Sequence, residues 1–191
     1  MRVPDLLEAA DGLAHSRLSE KRYGHTLRVA ETAVSLAEAH GTDPHRARLA
    51  GLLHDAAREM SQQDLLRTAE RWHLPVDDFE RDRPVLLHGP VAAGLARREL
   101  GVEEEAVLGA VRAHTTGEPG MDDLSLLLYV ADKIEPGRDY PGIEGLRELA
   151  HRDLHAATAR ILRSTRDHNR NRGRPTHPRS RKALEWLEGT T

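Results

Sequence analysis

The chain contains no cysteine. That excludes disulfides, iron–sulfur clusters and thiolate metal sites, so any metal must sit on histidine and carboxylate. Aromatic residues make up 3%, too few for base recognition to be legible, and Tyr23, Tyr129 and Tyr140 can be read as packing residues. Lysine occurs only at Lys21, Lys133 and Lys182, every other strongly basic position being arginine. No apolar run approaches the roughly 20 residues that a membrane span requires. The formal net charge of −3 gives no general pull toward nucleic acid. The opening Met1-Arg2-Val3-Pro4-Asp5 lacks the apolar core of a signal peptide, so the expected location is cytoplasmic.

What is present is ordinary for a globular protein: 38% hydrophobic and 31% charged residues. A length of 191 residues suits one domain over 1–191. Neither an internal repeat nor a period of two is found, so the expectation is all-α. A short amphipathic opening spans Leu6 to Leu13. A run from about Glu20 to His40 then places Leu27, Ala30, Ala33, Val34 and Ala37 at helical spacing and stops at Gly41. His25 shares a neighbouring stripe with Val29, Ala33 and Leu36. Asp43 and Pro44 open the next helix as cap and first residue, and its apolar face runs through Ala47, Ala50 and His54 to Ala57.

Ser61 to Asp64 reads as a capping box for a helix toward Trp72. Leu74 to Pro84, with two prolines and several acids, reads as irregular surface chain. His88 stands at the entrance of a helix that ends before Gly101. A stripe of Val107, Ala110 and Val111 leads to His114, and Met121 to Asp132 forms the most apolar helix, broken by Glu135-Pro136-Gly137. Helices over about 143–151 and 153–168 follow, then an Arg-rich stretch at about 169–180 and a last short helix with Leu184, Trp186 and Leu187.

A single histidine on a helix face is more often a hydrogen-bonded core residue than a ligand. Seven of the twelve histidines (His15, His40, His45, His73, His151, His155 and His168) lie in polar surroundings and read as surface residues, and His177 between prolines reads as ordering the tail. His25, His54, His88 and His114 differ, because each lies beside an apolar stripe or a helix end, and Asp55 and Asp132 share that placement. A carboxylate at Asp132 on the apolar face costs several kcal/mol unless paired or ligated. Neutral imidazole and carboxylate suit iron, manganese, cobalt or zinc.

The ordered set His25, His54-Asp55, His88, His114 and Asp132 resembles the HD superfamily of metal-dependent phosphohydrolases in its two-metal version. Glu20-Lys21-Arg22-Tyr23-Gly24-His25-Thr26-Leu27, Leu87-His88-Gly89-Pro90, Ala113-His114-Thr115-Thr116-Gly117, Ala131 to Asp139 and Gly173 to Pro178 extend the likeness to the symmetrical bis(5′-nucleosyl)-tetraphosphatases, the YqeK family. One departure is Arg58, three residues after Asp55, where that family usually has lysine; arginine keeps the charge but presents a planar fork.

The resemblance implies a single HD-domain helical bundle with a metal site at its centre and a C-terminal helical extension. It implies two divalent metal ions, iron by preference: one held by His25, His54 and Asp132, the other by His88 and His114, with Asp55 bridging. It also implies hydrolysis of dinucleoside tetraphosphates into two nucleoside diphosphates, with Asp55 and Lys133 as catalytic candidates. Thr115, Thr116, Lys133 and Arg138 are candidates for binding the polyphosphate, although Thr-Thr-Gly and Glu-Pro-Gly also serve as helix punctuation. The implied partner is the nucleotide substrate; oligomeric state is not legible, a homodimer being compatible with the sequence. Two alternatives stay open: an HD phosphohydrolase for another nucleotide, and a helical binding module using Arg163, Arg166, Arg170, Arg172, Arg174 and Arg179 toward RNA or acidic partners.

Overall fold

A computed structural model of the chain describes residues 3–189. Among them there is no strand, and the α-helices run in the order α1 (Val3–Arg17), α2 (Glu20–His40), α3 (Pro44–Leu53), α4 (Gln62–Arg71), α5 (Asp78–Asp82), α6 (His88–Leu100), α7 (Glu105–Ala113), α8 (Asp123–Ile134), α9 (Ile143–Arg152), α10 (Leu154–Asn171) and α11 (Pro178–Gly189). A 3-10 turn at Pro84–Leu87 precedes α6. The protein is all-α, as the absence of strand periodicity predicts.

Local chemistry sets most boundaries. Gly41 ends α2 in the left-handed conformation and returns its N–H to the Ala37 carbonyl. The Asp43 carboxylate accepts from the N–H groups of His45 and Arg46, with Pro44 as the first residue of α3. Ser61 accepts from the Asp64 N–H at 3.1 Å, but the Asp64 carboxylate takes the Ser61 hydroxyl at 2.6 Å instead of closing the box on the backbone. The apolar face through Ala57 overstates α3. After Leu53 the chain tightens into turns, with Ala56 N–H on the Leu53 carbonyl and Arg58 N–H on the Asp55 carbonyl. His54 and Asp55 therefore stand at the end of the helix.

The stretch Leu74 to Pro84 is not irregular throughout. Asp77 accepts from the Glu80 N–H at 2.8 Å and Glu80 accepts from the Asp77 N–H at 3.0 Å. This reciprocal cap stabilises α5 despite the flanking prolines. The C-terminal part also holds more helix than composition suggests, since α10 runs through the first residues of the Arg-rich stretch to Asn171.

Helix α8 is the axis of the molecule: ten of its twelve residues are buried. It packs against α2, α7 and α10, while α3 lies against α1, α2 and α7, and α10 also covers α9 and α11. Two glycines let helices approach at the level of the histidines. A Cβ on Gly51 would lie 2.5 Å from the Ala30 Cα, and one on Gly89 would lie 3.0 Å from the carbonyl oxygens of Val111 and Arg112. The first close approach joins α3 to α2; the second joins α6 to the end of α7.

Gly51→Ala tests this. Alanine favours an exposed helix over glycine by roughly 0.5–1 kcal/mol, whereas overpacking a core contact costs about 1–3 kcal/mol. The expected outcome is net destabilisation, read as a lower midpoint of urea unfolding. An unchanged or raised midpoint would show that the α2–α3 contact is not tight.

Candidate functional site

The six residues singled out by pattern come together at one place. His25 belongs to α2, His54 and Asp55 follow α3, His88 opens α6, His114 follows α7, and Asp132 lies in the last turn of α8. All six are buried. The seven histidines read as surface residues are exposed or, for His40, half-buried.

Three of the rings are set by one device. His54 Nδ1 lies 2.7 Å from the Gly51 carbonyl, His88 Nδ1 2.5 Å from that of Val85, and His114 Nδ1 2.8 Å from that of Val111. Each carbonyl is three residues back along the chain. A carbonyl oxygen only accepts, so each Nδ1 must carry the proton and each Nε2 presents a lone pair. His25 is oriented by a side chain: its Nδ1 lies 3.1 Å from Glu135 Oε1. Glu135 is itself fixed at Oε2 by Arg28 Nε at 2.5 Å and by the Gly137 N–H at 2.6 Å.

In their neutral form the rings present Nε2 lone pairs that converge. His88 Nε2 and His114 Nε2 are 3.0 Å apart, and with both Nδ1 atoms donating, no hydrogen lies between them. Thr115 Oγ1 is 3.2 Å from each and has one proton to give. His25 Nε2 lies 3.1 Å from Asp132 Oδ1, while His25 Nε2 and His54 Nε2 are both buried without a hydrogen-bond partner. Asp55 divides the space: Oδ1 faces His88 at 3.3 Å and His114 at 3.7 Å, whereas Oδ2 faces His54 at 3.5 Å and His25 at 3.9 Å. Two sets, His25 with His54 and Asp55, and Asp55 with His88 and His114, each have a spacing that could hold a metal ion.

Protons alone are a poor filling for this space. Burial pushes the His114 imidazole down to about 4, so it is neutral at neutral pH. Burial also works against charge on His54, but Asp55 and Asp132 outweigh it and raise its pKa. Burial would raise both carboxyl groups; the rings of His54, His114 and His88 instead hold Asp55 far below the usual range, and Lys133 with His25 does so for Asp132. An array of lone pairs and ionised oxygens that cannot all be protonated fits divalent cations with nitrogen and oxygen preference.

Above the rings lies a cleft of about 250 Å³ whose wall includes four cationic side chains, Arg22, Arg58, Lys133 and Arg138. Arg138 Nη2 is 2.8 Å from Asp132 Oδ1, Lys133 pairs with Asp132 Oδ2, and Arg22 Nη1 is 3.2 Å from Asp55 Oδ2. Thr115 lines the cleft. Thr116 does not: it lines the adjoining cavity, and its carbonyl accepts the Ser180 hydroxyl at 2.6 Å. Successive residues in this turn face different ways. Arg22 and Glu135 carry site roles that sequence pattern alone did not single out. Each stands three residues from a histidine or aspartate of the set, a spacing that shares a helix face.

A third group, Asp77, Glu80 and His177, also has metal-like spacing but the wrong donors. His177 Nδ1 accepts the Arg179 N–H at 3.0 Å, so the neutral ring carries its proton on Nε2, 3.5 Å from Asp77. With Arg179 Nη2 on Glu80 at 2.8 Å, the group ties α11 to α5. Four of the six arginines of the binding-module alternative are paired with the chain's own acids: Arg163 with Glu188, Arg166 and Arg170 with Asp167, and Arg179 with Glu80.

The model of the HD domain matches residues 22–137. The chain belongs to the HD-domain family. Within it, this HD protein is 37% identical over 180 residues to the symmetrical bis(5′-nucleosyl)-tetraphosphatase of Bacillus subtilis strain 168, covering 94% of this chain and 96% of that one. It is 40% identical over 145 residues to the protein of the same name from Staphylococcus aureus strain NCTC 8325, covering 76% and 74%. A crystal structure of a predicted HD superfamily hydrolase involved in NAD metabolism from Clostridium acetobutylicum superposes with a TM-score of 0.93 at 33% identity, over 96% of this chain and 97% of that one.

The Glu135 contact yields a prediction. Partners that orient a ligating histidine typically contribute 10–100-fold in metal affinity. Glu135→Ala is expected to weaken manganese binding in that range, measured by calorimetric titration, with helical content retained. Wild-type affinity in the variant would show that Glu135 serves only to end α8.

Proposed function

We propose that this HD-domain protein is a cytoplasmic metal-dependent hydrolase that cuts dinucleoside tetraphosphates, diadenosine tetraphosphate among them, at the central anhydride to give two nucleoside diphosphates. The observation that carries this reading is the divided carboxylate of Asp55, one oxygen facing each pair of histidines, beneath a cleft lined by four cationic side chains. The tetraphosphatases to which the chain is similar carry that reaction in their names. Among the described residues, no helix is long and apolar enough to cross a membrane.

In this reading His25, His54 and Asp132 hold one cation, His88 and His114 the other, and Asp55 contributes to both. Iron is the preferred metal, and the donor set also suits manganese, cobalt and zinc. Two bound cations supply positive charge for phosphate oxygens and bring the pKa of water from about 15.7 toward 7. The protein's part is positional and electrostatic. Asp55 stays ionised at every working pH, since its carboxyl titrates far below the usual range. The Nδ1 protons of His54, His88 and His114 are committed to carbonyls, so these rings act as fixed donors and not as proton carriers.

Lys133 and Arg138 neutralise Asp132 until a polyphosphate enters, and then turn their exposed N–H groups to its oxygens. Arg22 and Arg58 face the same anion from the α2 and α3 side. Charge gathers on the departing diphosphate as the central P–O bond breaks, and these cations lie where it gathers. The Thr115 hydroxyl, beside both His88 and His114, donates to a phosphate oxygen.

Incubation of the metal-loaded protein with diadenosine tetraphosphate tests the reading. Adenosine diphosphate should be the sole nucleotide product, and chelation should stop the reaction. Asp55→Ala should lose at least about 10³-fold in kcat with the fold intact, while Lys133→Ala should lose about 10²–10³-fold in kcat, the range of a single electrostatic donor. Adenosine mono- and triphosphate as products would overturn the symmetrical reading; normal turnover by Asp55→Ala would overturn the assignment of the site.

A further inference from the structure

Two further cavities adjoin the cleft, each sharing lining residues with it. The larger, about 500 Å³, shares Lys133 and Arg138 with the cleft and is completed by Tyr140, Leu146, Arg160, Ile161, Ser164 and His168. The smaller, about 270 Å³, shares Thr115 with the cleft and is completed by Phe79, Arg83, Asn169, Arg174 and Thr176 among others. Thr165 lines both outer cavities. Small-molecule pockets run from about 300 to 1,000 Å³, so the first is the size of a nucleoside site and the second is a shallow seat for a base.

We infer that these two cavities are the two nucleoside subsites of one dinucleotide, one reached from the cleft past Lys133 and Arg138 and the other past Thr115, and that α10 with the segment after it contributes to both. The inference rests on the proposed reaction and adds where each half of the substrate lies. Central cleavage leaves two equal products, so the site must accommodate a nucleoside in both directions from the reacting phosphorus; a single flanking cavity would serve a mononucleotide as well.

The chemistry of the walls fits. Tyr140 is 40% exposed and is fixed by its hydroxyl, which donates to the Lys133 carbonyl at 2.8 Å. It offers an aromatic face at the rim, with the Ser164 hydroxyl and the His168 ring as hydrogen-bonding groups. In the smaller cavity the Arg83 guanidinium lies 4.4 Å from the centre of the Phe79 ring, a planar cation on which a base can stack, and the Asn169 amide, 3.3 Å from Thr176 Oγ1, can reach a base edge. The HD match ends at residue 137, so Tyr140, α10 and the loop after it lie beyond the part of the chain that the metal-binding motif defines. The motif then supplies the reaction, and the C-terminal part, together with Phe79 and Arg83, supplies the selection of a substrate with two ends.

The test is ADP stoichiometry of the manganese-loaded protein by equilibrium dialysis. Wild type should bind two ADP per chain. Ser164→Trp, which fills the larger cavity from an exposed position, should bind one, as should Asn169→Trp, with Arg174→Trp as a second filling variant from the exposed loop. Each should also raise KM for diadenosine tetraphosphate at least tenfold with circular dichroism unchanged. One ADP per wild-type chain, or two per chain in either the Ser164 variant or both smaller-cavity variants, overturns the subsites. These results are independent of product identity: two sites lost one at a time with unsymmetrical cleavage would contradict the proposed reaction alone, and one site with clean ADP production would contradict the subsites alone.

Discussion

Four imidazoles with their Nε2 atoms turned inward and two ionised carboxylates are buried together at the centre of this protein. In that space acceptor faces acceptor: His88 and His114 meet at 3.0 Å, and His25 meets Asp132 at 3.1 Å. An arrangement of this kind is costly in a low-dielectric interior unless positive charge enters it. His114 is held neutral by its own burial, so protons cannot meet the whole demand. The surrounding structure can be understood as the means of holding these groups in place against that cost.

The holding is done at helix ends. A histidine just beyond α3, at the entrance of α6, and just beyond α7 returns its Nδ1 proton to the carbonyl three residues earlier. The device needs no other residue, and it aims the opposite nitrogen away from its own chain toward the centre. Gly51 and Gly89 let the parent helices come close enough for the aimed nitrogens to meet. His25, in the middle of α2, has no free carbonyl and uses Glu135 instead. The same carboxylate is anchored by Arg28 and the Gly137 amide, so the break in the chain after α8 also serves the site.

The helices were largely legible because caps and stripes are local. Gly41, Asp43-Pro44 and Gly101 place boundaries that the structure repeats. The clustered histidines and aspartates were legible because each had an apolar stripe or helix end beside it, and because their order along the chain resembles a known family. Less legible was whatever depends on a partner far away in sequence. Glu80 is buried because Arg179 reaches it from α11, so the segment around it reads as surface chain until the two are brought together. Glu135 looks like punctuation until His25, 110 residues earlier, is placed against it. Thr115 and Thr116 are alike in sequence, and only the turn decides that the first reaches the cleft and the second does not.

The claim on which the account depends is that Asp55 joins two cations in one site. Electron paramagnetic resonance of the protein titrated with manganese addresses it directly. Two ions per chain with the spectrum of an exchange-coupled pair, collapsing to uncoupled manganese in Asp55→Ala, is the predicted result. A single ion at saturation, or two ions with no coupling in the wild-type protein, would contradict it.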